Sequence, residues 1–229
     1  VLCMWNLNTE SPNGLKSESE REQELIVEKV FSIAESGDYI ALHECFEAFS
    51  NKIPDLANCR DADEDTPLIV ASQAGSLQCM EVLLAQGAYV NSCGCSARTA
   101  LHCAAFEGHT DAVVKLLEHR ASFRILDALD EFPLHKAAIN NHINVVKVLL
   151  NAMSDTSNAL QMLNHQNVLD CTPIHNAAHH GHAEMIQVLL QAGADPTIRD
   201  IFDYAPLDSA MNGRHIDAIQ VLNQWFENR

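Results

Sequence analysis

Beyond the first twenty positions, apolar residues recur at helical spacing along almost the whole chain. Leu25, Ile26, Val30, Phe31, Ile33 and Ala34 lie three or four residues apart and predict a helix. Gly37-Asp38 breaks it, and Ile40, Ala41, Cys45, Phe46 and Phe49 mark a second. After that, two kinds of short helix alternate. One is rich in small residues: Ala104-Ala105, Ala137-Ala138 and Ala177-Ala178. The other carries an aliphatic run: Val82-Leu83-Leu84, Val113-Val114-Lys115-Leu116-Leu117, Val148-Leu149-Leu150 and Ile186-Gln187-Val188-Leu189-Leu190. Small side chains let neighbouring helices approach closely, and the leucines are expected to fill a continuous core. Residues 1–21 hold Asn-Thr-Glu-Ser-Pro-Asn-Gly and Ser-Glu-Ser-Glu without periodicity, which predicts a disordered or linker segment.

One phrase returns in register. Thr66-Pro67-Leu68-Ile69-Val70-Ala71 is followed by Thr99-Ala100-Leu101-His102-Cys103-Ala104. Phe132-Pro133-Leu134-His135-Lys136-Ala137, Thr172-Pro173-Ile174-His175-Asn176-Ala177 and Ala205-Pro206-Leu207-Asp208-Ser209-Ala210 complete the series. The anchors 68, 101, 134, 174 and 207 are 33, 33, 40 and 33 apart. A fixed period of this length signals stacked supersecondary units. Proline after the threonine suits the first helical turn, where its missing N–H would be unpaired anyway. Gly87 and Gly193 are expected to end their helices as left-handed caps.

The phrase, the Gly108-His109 and Gly181-His182 steps, the aliphatic runs and Gly193-Ala194-Asp195 resemble the ankyrin repeat. The resemblance covers residues 58–229 closely and 22–57 loosely. It implies an all-α fold with short β-hairpin loops: an ankyrin-type solenoid of about six units, capped at both ends. Residues 22–57 are then an N-terminal capping helix pair and 58–229 five repeats, with a C-terminal cap at 216–229 in which Trp225 and Phe226 seal the last layer. The 40-residue step places an insertion at 152–163, where Thr156 to Leu163 has helical character.

Composition narrows the function. The 229-residue chain is 47% hydrophobic, yet no apolar run approaches the roughly 20 residues of a membrane helix. Val1-Leu2-Cys3-Met4-Trp5 lacks the basic start and apolar stretch of a secretion signal. The formal net charge is −17, with 15 acidic and 5 basic side chains before residue 66. Phosphate backbones are bound by Lys and Arg, so nucleic acid is not expected as a partner. Eight cysteines in a chain whose core comes from repeats are expected to be reduced thiols, in a cytoplasmic or nuclear compartment.

Candidate chemistry is sparse. His102, His135 and His175 occupy the phrase, and His109, His142 and His182 follow its helix step. The resemblance implies that these tie units together. Cys59, Cys93 and Cys95 offer too few ligands for zinc. Cys103 adjoins His102, but successive residues on a helix point apart. No glycine-rich phosphate loop occurs. No cofactor, metal or catalytic residue is therefore expected. Asn91 resembles the asparagine that hydroxylases modify in ankyrin loops, although Tyr89 stands where that pattern prefers an acid. The resemblance implies a monomeric, non-catalytic protein-interaction module acting as scaffold, adaptor or targeting domain. The substrate-recognition arm of a larger enzyme, such as a ubiquitin ligase or a secreted bacterial effector, is an alternative; a self-contained enzyme is disfavoured.

Such proteins bind partners with hairpin tips and the concave face of the first helices. The tips align at 61–65, 94–98, 127–131, 167–171 and 200–204. The first is acidic, with Asp61, Asp63 and Glu64 expected to meet a basic patch on the partner. The last three are apolar: Leu126 and Leu129, Val168 and Leu169, then Ile201, Phe202 and Tyr204. A contiguous exposed apolar patch marks an interaction site. On the concave side the candidates are Phe106, His179 and His180.

Overall fold

A computed structural model describes residues 17–153 and 156–228, and the side chains of all of these except 156–158. The helices are α1 (Glu18–Ser36), α2 (Tyr39–Phe49), α3 (Pro67–Gln73), α4 (Leu77–Ala85), α5 (Ala100–Glu107), α6 (Thr110–Glu118) and α7 (Pro133–Ile139). They continue with α8 (Ile143–Ala152), α9 (Thr156–Leu163), α10 (Pro173–His179), α11 (Ala183–Gln191), α12 (Pro206–Asn212) and α13 (Ile216–Glu227). Apart from α9 they form antiparallel pairs. The first members stack as one row, α1–α3–α5–α7–α10–α12, and the second members as another, α2–α4–α6–α8–α11–α13. No helix is long and apolar enough to cross a membrane.

Helices of seven to ten residues are too short to persist alone, so packing holds them. Leu68, Leu101, Leu134 and Ile174 in the first row are buried, as are Leu83, Leu116, Leu149 and Leu189 in the second. Leu207, at the matching position of α12, is only half-buried because α12 has a neighbour on one side alone among the described residues. The same asymmetry corrects the expectation for the C-terminus. Trp225 is half-buried and Phe226 exposed, their rings edge-on at 5.1 Å, so Phe226 does not seal the last layer.

The chain start also differs from expectation. α1 begins at Glu18 rather than at 22, because Ser17 and Glu20 form a capping box. The Glu20 amide donates to Ser17 Oγ at 3.2 Å and the Ser17 amide to the Glu20 carboxylate at 2.7 Å. The expectation for residues 1–21 otherwise lies outside the described residues. The eight-residue helix α9 lies within the expected insertion between the third and fourth phrases.

The described residues contain no β-strand, only an isolated bridge between Cys93 and Thr99. Each expected hairpin contracts to a five-residue turn. Its first amide donates to its fifth carbonyl: Asp61 to Asp65, Gly94 to Arg98, Asp127 to Glu131, Asn167 to Cys171 and Asp200 to Tyr204, at 2.8–3.1 Å. In four of the five, the first side chain replaces a partner strand. Oδ1 of Asp61, Asp127, Asn167 and Asp200 each accepts the amides two and four residues on, at 2.9–3.0 Å. The fourth residue takes a left-handed conformation, with φ between 55° and 64° at Glu64, Ala97, Asp130, Asp170 and Asp203.

Candidate functional site

The turns form a continuous edge. Backbone hydrogen bonds join neighbours: the Ala128 amide donates to the Ser96 carbonyl at 2.8 Å, Val168 to Leu129 at 3.1 Å and Ile201 to Leu169 at 3.2 Å. Side-chain amides clasp the units further back. Asn58 Oδ1 accepts the Tyr89 amide at 2.7 Å, Asn91 Oδ1 the Ser122 amide at 2.7 Å and Asn164 Oδ1 the Asp195 amide at 2.8 Å. Asn91 is thus a structural clasp. These asparagines repeat with the 33- and 40-residue steps of the phrase, so their register could have revealed them.

On this edge Leu129, Val168, Leu169, Ile201, Phe202 and Tyr204 are all exposed, from 44% at Tyr204 to 66% at Phe202. They span three adjacent turns, and the Phe202 and Tyr204 rings lie 6.4 Å apart. Leu126 does not join them. It is half-buried against the core beneath the third turn, because the turn starts one residue later. The first turn is less of a charged rim than its composition suggested. The Asp61 carboxylate is spent on the turn itself. Asp65, buried, accepts the Cys95 amide at 2.8 Å, and burial holds its carboxyl above the usual range. Asp63 and Glu64 remain exposed, Glu64 with Arg60 3.9 Å away.

Under the third turn lies a group that charge-counting missed. Lys136 Nζ sits 2.6 Å from Asp127 Oδ2 and 2.5 Å from Glu131 Oε2, all three buried. Asn167 Nδ2 donates to the other Glu131 oxygen at 2.7 Å, carrying the network into the next turn. Burial opposes ionisation of both Asp127 and Lys136. The Lys136 hydrogen bond and two backbone amides nevertheless hold Asp127 below the usual carboxylate range, and the two carboxylates hold Lys136 above the usual lysine value.

Histidines form two ladders. In the first, Thr99 and Thr172 amides donate to Nδ1 of His102 and His175, and Phe132 to that of His135, at 3.1–3.2 Å. The opposite nitrogen then donates forward: His102 to the Glu131 carbonyl, His135 to His165 and His175 to Tyr204, at 3.0–3.2 Å. Burial lowers the pKa of all three, that of His135 to about 4. In the second, Nε2 of His109, His142, His182 and His215 reaches back to the Gln73, Phe106, Ile139 and His179 carbonyls at 2.8–3.0 Å. Each of these carbonyls lies in the last turn of a first helix. Gly108 precedes this step at φ +82°, where a Cβ would lie 2.3 Å from the His142 ring. His215 follows Arg214 as His142 follows Asn141, both at positive φ, so the register of the step could have revealed it.

Comparison with known sequences settles the architecture. A family model described as ankyrin repeats (3 copies) matches residues 33–127 and 120–200. The chain belongs to the ankyrin repeat family. It is 33% identical over 144 residues to inversin of Canis lupus familiaris, covering 63% of this chain and 13% of inversin. It is 35% identical over 101 residues to a transient receptor potential cation channel subfamily A member 1 homolog of Caenorhabditis elegans, 44% of this chain and 8% of that protein. Identity reaches 39% over 100 residues with the ankyrin repeat protein FPV031 of fowlpox virus, 42% of this chain and 28% of the viral one. The matched stretch is thus a minor part of each relative.

Ankyrin repeats are protein–protein interaction modules and are generally non-catalytic. Both imidazole nitrogens of His102 are engaged in the ladder, and burial pushes the adjacent Cys103 thiol up to about 11. Burial likewise pushes Cys59 to about 12 and Cys171 to about 11, far from a reactive thiolate. The cysteines of the described residues are free thiols. Among those residues no three His, Cys, Asp or Glu side chains converge as a metal site. Phe106, His179 and His180, expected on the concave side, are exposed, the two histidine rings edge-on at 5.1 Å. His180 stacks on His182 at 5.7 Å.

Proposed function

We propose that this ankyrin array is a monomeric, non-catalytic recognition module that grips another protein with the turns of its third to fifth repeats. The observation that carries this is the apolar ridge from Leu129 to Tyr204, exposed yet fixed by backbone hydrogen bonds from turn to turn. Apolar side chains that point into water and serve no core are what a partner would cover. Rigidity adds to their value, since little conformational entropy is lost on binding. Asp63 and Glu64 act as a charged rim that steers a partner rather than anchoring it. The module works as a scaffold, adaptor or targeting domain in a cytoplasmic or nuclear compartment and does not engage nucleic acid. Its relatives carry the matched stretch within much longer chains, which favours service as the recognition arm of a larger protein.

The test is affinity capture with the wild-type protein and with Phe202→Ala/Tyr204→Ala. Truncating an aromatic anchor costs roughly 2 kcal/mol or more of binding. Proteins retained by the wild type should be lost by the variant while its melting temperature stays within a few degrees. An unchanged captured set would move the recognition face to the concave residues Phe106, His179 and His180.

A further inference from the structure

The five turns align residue by residue, and their third and fourth positions make two parallel rows. The third positions run Asp63, Ser96, Leu129, Leu169, Phe202; the fourth run Glu64, Ala97, Asp130, Asp170, Asp203. The surface therefore changes along the stack. It is acidic at the first turn and small at the second. From the third onward these two positions present an apolar side chain followed directly by an exposed carboxylate. Asp130 and Asp170 have no ion-pair partner among the described residues. Asp203 faces Arg199 at 3.7 Å and is 87% exposed.

We propose that the turns of repeats three to five are a docking track for a basic amphipathic helix of another protein. Its apolar side chains lie on Leu129, Leu169 and Phe202, and its lysines or arginines on Asp130, Asp170 and Asp203. This rests on the reading of the turns as the recognition face and specifies what they recognise. Charge selects the occupant. A neutral apolar surface laid on the first row would strip water from Asp130 and Asp170 without compensating them, and an acidic one would be repelled. Periodicity selects its conformation. Packed helices lie about 8–10 Å apart, and the turns they carry share that spacing. Residues seven apart on one face of an α-helix are about 10.5 Å apart. In a β-strand the residue about 10 Å along is the third on, which points to the opposite face. A helix can therefore meet every turn with the same face, and a strand only every second one.

The experiment selects random 20-residue peptides displayed on phage against the immobilised protein, then measures a synthesised winner by fluorescence anisotropy. Asp130→Asn/Asp170→Asn/Asp203→Asn removes the second row. Asparagine tolerates the left-handed conformation these positions adopt, so the turns survive, as a thermal melt verifies. The expected winners are net positive, with large apolar residues seven apart. The triple variant should bind them roughly 5- to 30-fold more weakly, as three exposed ion pairs would predict. Neutral or acidic winners, or a failure to enrich any peptide, would overturn the proposal. So would basic winners that ignore the triple variant; if Phe202→Ala still abolished their binding, the turns would remain the recognition face. Winners indifferent to Phe202→Ala as well would sink the reading of the turns itself.

Discussion

Replacing Lys136 with Met tests whether the buried charges under the third turn are held in place by one ammonium group. Both carboxylates lie within 2.6 Å of that nitrogen, so they are within about 5 Å of each other. Without it, two buried like charges at about 5 Å and an effective dielectric near 20 repel by roughly 3 kcal/mol. Breaking a buried ion pair from one side costs about 3–5 kcal/mol in general, which agrees. A loss of that size is a large share of the 5–15 kcal/mol typical of a domain. The pH response gives a sharper check. In the wild type Asp127 is held below its unfolded value, so its contribution is present above the unfolded carboxylate range and is lost as pH falls. Lys136 is held above its ordinary 10.5, so its share is present at neutral pH and is lost as pH rises through the folded value. In Lys136→Met the stranded carboxylate pair takes up a proton on folding instead. The gap between wild type and variant should therefore narrow between pH 7 and pH 4.5 in urea denaturation. Adding Asp127→Asn should recover much of the loss at pH 7, because Asn167 shows that asparagine holds this turn equally well. A loss under about 1 kcal/mol, or a gap that widens on acidification, would refute the reasoning.

Leu116→Ala and Leu149→Ala, both fully buried, should each cost about 2–5 kcal/mol in chemical denaturation; little change at both sites would mean the inferred layers are not packed as described. Stability should fall as pH drops from 6.5 toward about 4. The unfolded chain binds protons there that buried His102, His135 and His175 resist, and a flat profile across that window would contradict the first ladder. Gly108→Ala should lower the melting temperature, through backbone strain at φ +82° and collision with the His142 ring; an unchanged melt would show that the second ladder is dispensable.

The period of the phrase made the architecture legible because each unit solves the same packing problem with the same residues. Subtracting those shared residues also exposed the apolar turns: Leu129, Leu169 and Phe202 stand where the stack makes no demand. What stayed hidden depends on three-dimensional contacts that spacing along the chain does not reveal. Leu126 reads as part of a turn until its packing against the core is seen. Asp61 reads as a rim charge until its two backbone amides are seen. Phe226 reads as a seal until its ring is seen to be exposed.

Lys136 is the clearest case. Its counterparts in the other phrases are Val70, Cys103, Asn176 and Ser209, so a lysine there reads as a solvated substitution. The third turn runs straight into α7, which folds Lys136 back beneath Asp127 and Glu131, the first and fifth residues of that turn. Those two residues frame Leu129 and Asp130, the first apolar–acidic pair of the proposed track. Asn167, joined to Glu131, begins the turn that presents Leu169 and Asp170. The buried network thus lies where the surface changes from small to apolar. It fixes the turn geometry from below, leaving the exposed side chains above to be chosen for a partner. Binding by the track should then fall in Lys136→Met even though Lys136 is too buried to touch a partner, and Asp127→Asn should restore binding together with stability.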